Sequence, residues 1–262
     1  MGIFVIILLS VVQGIAEFLP ISSSAHLLLV PWLFSLQSPG LSFDAAIHIG
    51  TAIALLIFFY KDFLNLIKEK SPLVKYIVIS TIPGAVIGFI GDKWIETNLH
   101  DSSYAPLIVG IGMIAFSGVL YYSDKLAAKT QTLSKLSFKQ SLFIGFSQAI
   151  ALIPGVSRSG ITISAGLWNG LKREDAARFS FLLATPISLG AGLYKFYGLV
   201  KNPSPNLSIF DVILGIVLSA IVGIIAIKWL LQYLAKHDMK LFVWYRLGLG
   251  VVVILAWLFL RK

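Results

Sequence analysis

The 262-residue chain contains no cysteine, and only 13% of its residues are charged. Without thiols it forms neither a disulfide framework nor a thiolate metal site, and a cysteine-nucleophile phosphatase mechanism is closed to it. Acidic side chains are scarcer than basic ones, 12 against 21. The excess positive charge does not gather on one face; it is spread through short loops between apolar runs, so no nucleic-acid partner is expected. No G-x-x-x-x-G-K-[ST] loop is present, which argues against ATP-driven work. The N-terminus lacks the basic start of a signal peptide, so the first apolar segment is expected to be retained.

What the chain has in abundance is apolar surface: 57% hydrophobic residues and a mean hydropathy of +0.88. That composition lies well outside the soluble globular range and predicts an all-α integral membrane protein. Six apolar runs, near 43–60, 76–91, 105–122, 179–198, 209–233 and 241–260, are each close to the ~20 residues a spanning helix needs. Two further regions are interrupted. Residues 2–19 are followed by a break at Pro20 to Ser24 and a short apolar piece from Leu27 to about Leu36. Residues 141–153 are followed by "PGVSRSG" and a second short piece over 161–171. Each short piece has the length of a re-entrant segment rather than a span.

The two breaks can be aligned at their glutamines. Gln13 then matches Gln148, Ile15 matches Ile150, Ala16 matches Ala151, Ser22 matches Ser157 and Ser24 matches Ser159. A "DAA" triplet follows each break, at 44–46 and 175–177. The pattern predicts one membrane domain over 1–262 built from two repeats, about 1–123 and about 138–262, each a re-entrant hairpin followed by three spans, joined by a cytoplasmic loop. Lysine and arginine set the orientation, because short cytoplasmic loops carry their excess. Loops 61–75, 124–139 and 171–178, with Lys236 and Lys240, fall inside; Asp92, Glu96 and Asp101 fall outside, together with Lys201, Arg261 and Lys262. The two hairpins then enter from opposite faces, giving inverted-topology repeats whose broken helices meet near the bilayer midplane.

Polar groups at that depth are tolerated only around a watered cavity. Gln13 and Glu17 share a helix face at i, i+4, and Ser22, Ser23 and Ser24 suit the N-cap of the next half-helix. The second break offers Ser157, Arg158, Ser159, Gly160 and Thr162 at a fresh helix start, where N–H groups and a guanidinium can hold phosphate oxygens. The chemistry implied is phosphate chemistry in a membrane. A plainer role is open for each group: the serines as caps, Glu17 as a structural partner of Arg158, and His26 as a satisfied core histidine. His48 and Arg246, inside spans, fit substrate contact and helix packing equally, while "KREDAAR" reads as a solvated face and "NPSPN" as a turn. The acid-phosphatase pattern would place a histidine where the chain has Ser164.

Over essentially its whole length the sequence resembles the bacterial undecaprenyl-pyrophosphate phosphatases linked to bacitracin resistance. Gln13 and Glu17 match that family's [EQ]-x-x-x-E signature, Phe18 to His26 its "FLPxSSxxH" and Pro154 to Thr162 its P-G-x-S-R-S-x-x-T. The departures are Gln13 at the first acidic position and Ala25 where glycine is common. The resemblance implies hydrolysis of a C55 isoprenyl diphosphate to carrier-lipid monophosphate and inorganic phosphate, aided by a divalent cation, Mg²⁺ or Ca²⁺, at Gln13 and Glu17. It further implies a bacterial inner membrane protein recycling carrier lipid for cell-wall synthesis, with a homodimer among the partners it allows; because the first hairpin opens outward, the site is expected to open to the extracytoplasmic face. Glu17, Ser23, His26 and Arg158 are the expected catalytic residues; Ser22, Ser157, Ser159, Gly160 and Thr162 are expected to bind substrate. Ser23 is the preferred nucleophile, deprotonated by Glu17 or His26, and His26 is the competing one. A transporter or flippase of a lipid phosphate or other anion is the alternative use of the same cavity.

Overall fold

A computed structural model describes residues 2–36, 40–100, 102–201 and 207–260. Gln37, Asp101, the "NPSPN" stretch and Arg261 with Lys262 lie outside the described residues. Among those described, the secondary structure is helical: α1 (Ile3–Ala16), α2 (Ser23–Leu33), α3 (Leu41–Lys68), α4 (Pro72–Ile95), α5 (Ala105–Leu126), α6 (Phe138–Ile150), α7 (Arg158–Trp168), α8 (Arg173–Lys201), α9 (Ile209–Leu234) and α10 (Lys240–Leu260). A π-helical turn, Glu96–His100, extends α4. Six of these helices, α3, α4, α5, α8, α9 and α10, are long and apolar enough to cross a membrane. They contain the six expected runs and extend beyond several of them, because a helix continues into the interfacial zone after its apolar stretch has ended.

The interrupted regions are two helix–break–helix units, α1–α2 and α6–α7. Regular α1 stops at Ala16, a turn before Pro20; the ring of Pro20 disfavours helical geometry at the residue before it, so the chain unwinds early. Both following helices start sooner than the apolar pattern suggests. Ser22 has φ 76° and ψ 96°, Ser157 φ 72° and ψ 116°, and a helix begins at the next residue in each case. Serines aligned in sequence thus share a left-handed conformation that side chains seldom adopt. The likeness extends to their side chains: Ser22 Oγ lies 3.3 Å from Ser24 Oγ, and Ser157 Oγ lies 3.2 Å from Ser159 Oγ. The caps differ, since Ser157 accepts from Gly160 N–H at 3.1 Å while Ser22 makes no such bond.

Packing crosses between the halves of the chain. Helix α1 lies on α9 and α6 on α4, while α3 packs on α8 and α5 on α10. Small residues allow the close approaches. A Cβ on Gly145 would fall 2.2 Å from Ser80 O, and one on Gly50 would fall 2.3 Å from Ile216 O. The main apolar core joins Phe18, Phe59, Phe179 and Phe181 to aliphatic side chains of α3, α7, α8 and α9.

The basic loops adjoin one another. Buried Asp124 accepts from Arg173 Nε at 2.6 Å and from Met239 N–H at 3.1 Å, and Lys129 stands 3.7 Å away. Gln131 N–H donates to Gly170 O and Lys172 N–H to Gln131 O, both at 2.9 Å, closing the two flanks of α6–α7 on each other. Arg178 pairs with Asp62. "KREDAAR" is therefore more than a solvated face, because its two arginines hold acids on α5 and α3.

Candidate active site

Glu17, the C-cap residue just after α1, is the hub of the site. Its Oε1 accepts from Arg158 Nη2 at 2.5 Å. Its Oε2 accepts from Ser23 Oγ at 2.5 Å and from Gln13 Nε2 at 3.1 Å. His48 Nε2 lies 3.8 Å from the same oxygen. The carboxylate side chain is only 10% exposed, so the ion pair with Arg158 is shielded from water and from salt. Arg158 is the first residue of α7, and its other terminal nitrogen donates to Ser188 Oγ on α8. The two breaks, 141 residues apart in sequence, therefore meet through one guanidinium and one carboxylate.

A cavity of about 650 Å³ opens beside this pair. Its polar wall is built by Glu17, Ser22, Ser23, Ser24, Asp44, His48, Gln148, Ser157, Arg158 and Ser188; Leu27, Leu28, Pro31, Leu152 and Ile187 contribute the apolar wall. A polar head with an apolar tail is the ligand such a division suits.

Five of the expected residues, Glu17, Ser22, Ser23, Ser157 and Arg158, thus reach the cavity. The others sit behind it. Gln13 is fully buried against Glu17. Ser159 donates to Leu19 O at 2.9 Å, tying α7 to the first break. Thr162 Oγ1 donates to Arg158 O at 2.7 Å and contacts Ser180 Oγ at 2.6 Å, so it steadies the first turn of α7. Gly160 leaves room for a guanidinium, since a Cβ there would lie 2.9 Å from Arg246 Nη1. His26 has both ring nitrogens engaged. Nδ1 faces Ser22 O at 2.7 Å and must carry the proton, because a carbonyl only accepts; Nε2, 2.6 Å from Tyr245 Oη, then accepts from the phenol.

Arg246 was ambiguous in sequence and proves to be a brace. It is fully buried, and it donates to Pro20 O at 3.1 Å in the first break and to Gly155 O and Val156 O at 2.9 Å in the second. Four cavity residues stand outside the expected site: Ser24, read only as a cap, with Asp44, Gln148 and Ser188. Asp44 belongs to the first "DAA" triplet and Gln148 is the partner of Gln13 in the alignment, so both carried a signal; Ser188 carried none.

Gln13 and Glu17 carry oxygen donors of the kind a hard cation takes, although both Glu17 oxygens are engaged by Arg158, Ser23 and Gln13. Gln13 Oε1 is buried without a hydrogen-bond partner beside the Glu17 carboxylate. Among the described residues no three histidines or acids cluster, so the rest of the shell would come from phosphate oxygens and water, as Mg²⁺ commonly takes it.

Comparison with known proteins decides the family. The profile of the family described as "Bacitracin resistance protein BacA" matches residues 6–252. The chain belongs to this family. Among BacA-family relatives, the undecaprenyl-diphosphatase of Desulforudis audaxviator is 44% identical over 95% of each chain. The undecaprenyl-diphosphatases of Pelotomaculum thermopropionicum and Thermodesulfovibrio yellowstonii are 46% and 44% identical, each over 98% of both chains. With BacA membership and its six apolar helices, the chain is a multi-pass membrane protein.

Proposed function

We propose that this protein hydrolyses undecaprenyl diphosphate to undecaprenyl phosphate and inorganic phosphate, recycling carrier lipid for cell-wall synthesis. One observation carries the reading: Ser23, Glu17 and Arg158 converge from two breaks onto one cavity, a hydroxyl bonded to a carboxylate beside a guanidinium. Similarity to the undecaprenyl-diphosphatases over nearly the full chain supports it independently.

In the proposed reaction the diphosphate enters the polar end of the cavity and the prenyl chain lies along the apolar wall. Ser23 Oγ attacks the terminal phosphorus as its proton passes to Glu17 Oε2; the bond to the bridging oxygen breaks and the lipid monophosphate departs with that proton, leaving Glu17 ionised. Water then attacks the phosphoserine and gives a proton to Glu17, which passes it to Ser23 Oγ as the bond to phosphorus breaks and inorganic phosphate leaves. Arg158 turns a donor edge to the equatorial oxygens, where a planar fork matches a phosphate face. Engagement of both nitrogens of His26 supports Ser23 over His26 as nucleophile. A divalent cation at Glu17 and Gln13 would supply charge neutralisation to the diphosphate.

The finer architecture belongs to the same proposal. We infer that α1–α2 and α6–α7 are re-entrant hairpins entering from opposite faces, and that the chain is an inverted repeat. The shared serine conformation, the crossed packing of α1 on α9 and α6 on α4, and the closure of Gln131 on Gly170 support this reading. With the basic loops inside, the site opens to the extracytoplasmic face of a bacterial plasma membrane.

Phosphate release by the purified protein given a prenyl diphosphate tests the function. Release is expected from the wild type and to be lost on chelation, then restored by Mg²⁺ or Ca²⁺. Ser23→Ala is expected to lower it by roughly three orders of magnitude or more while lipid binding persists. An inactive wild type would end the phosphatase reading, and a fully active Ser23→Ala would hand the nucleophile to His26.

A further inference from the structure

Gln148 occupies the last turn of α6, at the position the alignment pairs with Gln13, and the mechanism above gives it no part. It is 3% exposed and lies on the cavity wall, yet neither its Oε1 nor its Nε2 has a hydrogen-bond partner. A buried primary amide left unpaired at both ends lowers stability, whereas methionine would occupy the same room at no such cost. The surroundings are shaped around it. Gly84 on α4 stands opposite, and a Cβ there would fall 3.2 Å from Gln148 Cβ and 3.7 Å from its Nε2.

Comparison with Gln13 sharpens the contrast. Gln13 has an acid four residues on, and its Nε2 donates to that acid, Glu17. Four residues beyond Gln148 stands Leu152, so the second amide has no partner of its own on the helix. Leu152, Ser157 and Arg158 share the cavity wall with it. Gln148 and Arg158 therefore line one space, with the unpaired amide buried just behind its wall, where a side-chain rotation would bring it to a bound headgroup.

We propose that Gln148 is a substrate-binding residue whose missing partners are phosphate oxygens of the diphosphate headgroup. Its Nε2–H donates to a non-bridging oxygen, and its Oε1 accepts from a protonated phosphate oxygen or from a water carried with the headgroup. The identity of the anion rests on the phosphatase reading; the demand for a polar ligand at this amide does not. A neutral donor adds a directed hydrogen bond beside Arg158 without placing a second cation there.

Gln148→Met and Gln148→Glu, assayed as purified protein on a prenyl diphosphate with thermal midpoints measured in the absence of substrate, test the assignment. Gln148→Met is expected to raise KM about tenfold, equivalent to ~1.4 kcal/mol of binding, with kcat within about twofold and a midpoint at or above the wild-type value. Gln148→Glu, isosteric but anionic, is expected to raise KM at least a hundredfold. An unchanged KM in either variant overturns the proposal. So does a raised KM in Gln148→Met accompanied by a lowered midpoint, because the amide would then have a structural partner. Methylenediphosphonate separates this inference from the phosphatase reading, since it reports binding without turnover: at one concentration it is expected to raise the midpoint of the wild type more than that of Gln148→Met. An equal rise in both proteins sinks the role of Gln148 even if hydrolysis stands. An inactive wild type with the selective rise ends the hydrolase reading and leaves the binding site.

Discussion

Arg158 and Ser23 each open a short helix, and each side chain turns to the same carboxylate. Arg158 donates through one terminal nitrogen to Glu17 and through the other to Ser188, a geometry that depends on a planar fork. Lysine is a compact point charge and cannot span those two acceptors. Arg158→Lys is accordingly expected to cut kcat/KM by about a hundredfold, close to the loss in Arg158→Ala. Steady-state kinetics of the two variants check this, and a lysine variant retaining most activity would reduce Arg158 to a generic positive charge. At this scale the sequence was informative about residue type and poor about direction. Motif reading grouped Glu17, Ser23, His26, Arg158 and Thr162 without saying where each turns: His26 Nε2 meets Tyr245 and Thr162 meets Ser180. Tyr245 lies 219 residues beyond His26 and Ser180 stands on the helix after α7, and no local spacing encodes either contact.

Each break depends on backbone that few residues can supply. Gly155 has φ +88°, and a Cβ there would lie 2.4 Å from Val109 O on α5. Left-handed geometry alone costs an L-residue about 1–2 kcal/mol, and the contact with backbone adds to it because a carbonyl of a packed helix cannot swing aside. Gly155→Ala is therefore expected to lower the thermal midpoint in detergent by several degrees and to depress activity with it. Gly118→Ala, where nothing lies within 4 Å of the added methyl, should leave both unchanged. Equal midpoints for the two variants would show that the second break tolerates a shift. The six long helices were legible as apolar runs. The starts of α2 and α7 were legible as polar caps, with Ser22 among three candidate serines and Ser157 at a fresh helix start, but the positive φ of both serines was not, since their own preference opposes it.

The complete absence of cysteine makes the topology directly measurable, because any introduced thiol is unique. The hydrogen bonds from Gln131 to Gly170 and from Lys172 to Gln131 bring the flanks of α6–α7 together. Cysteines at Lys129 and Lys172 are thus expected to share a face and to resist an impermeant reagent added outside intact cells, while a cysteine at exposed Ser103, before α5, should react. Labelling Lys129 and Lys172 from opposite sides would make α6–α7 a crossing unit and remove Arg158 from the shared cavity. The proposed repeat and orientation were read from charge and alignment together. The way α1 and α6 cross to the other half was not, because it depends on glycine contacts such as Gly145 on Ser80 that have no pattern in the chain.

The position of Arg246 bears on how the lipid can travel. One guanidinium grips Pro20 O in the first break and Gly155 O and Val156 O in the second, and it does so in a fully buried setting. Drawing those breaks apart would strand a cation among lost acceptors, a penalty of several kcal/mol. Alternating access demands such a separation in every cycle, as one half rocks against the other around the bound solute. A pinned centre is suited to the opposite economy of motion: the reacting groups keep their registration through turnover, and the prenyl chain does the moving, sliding in and out along the plane of the bilayer.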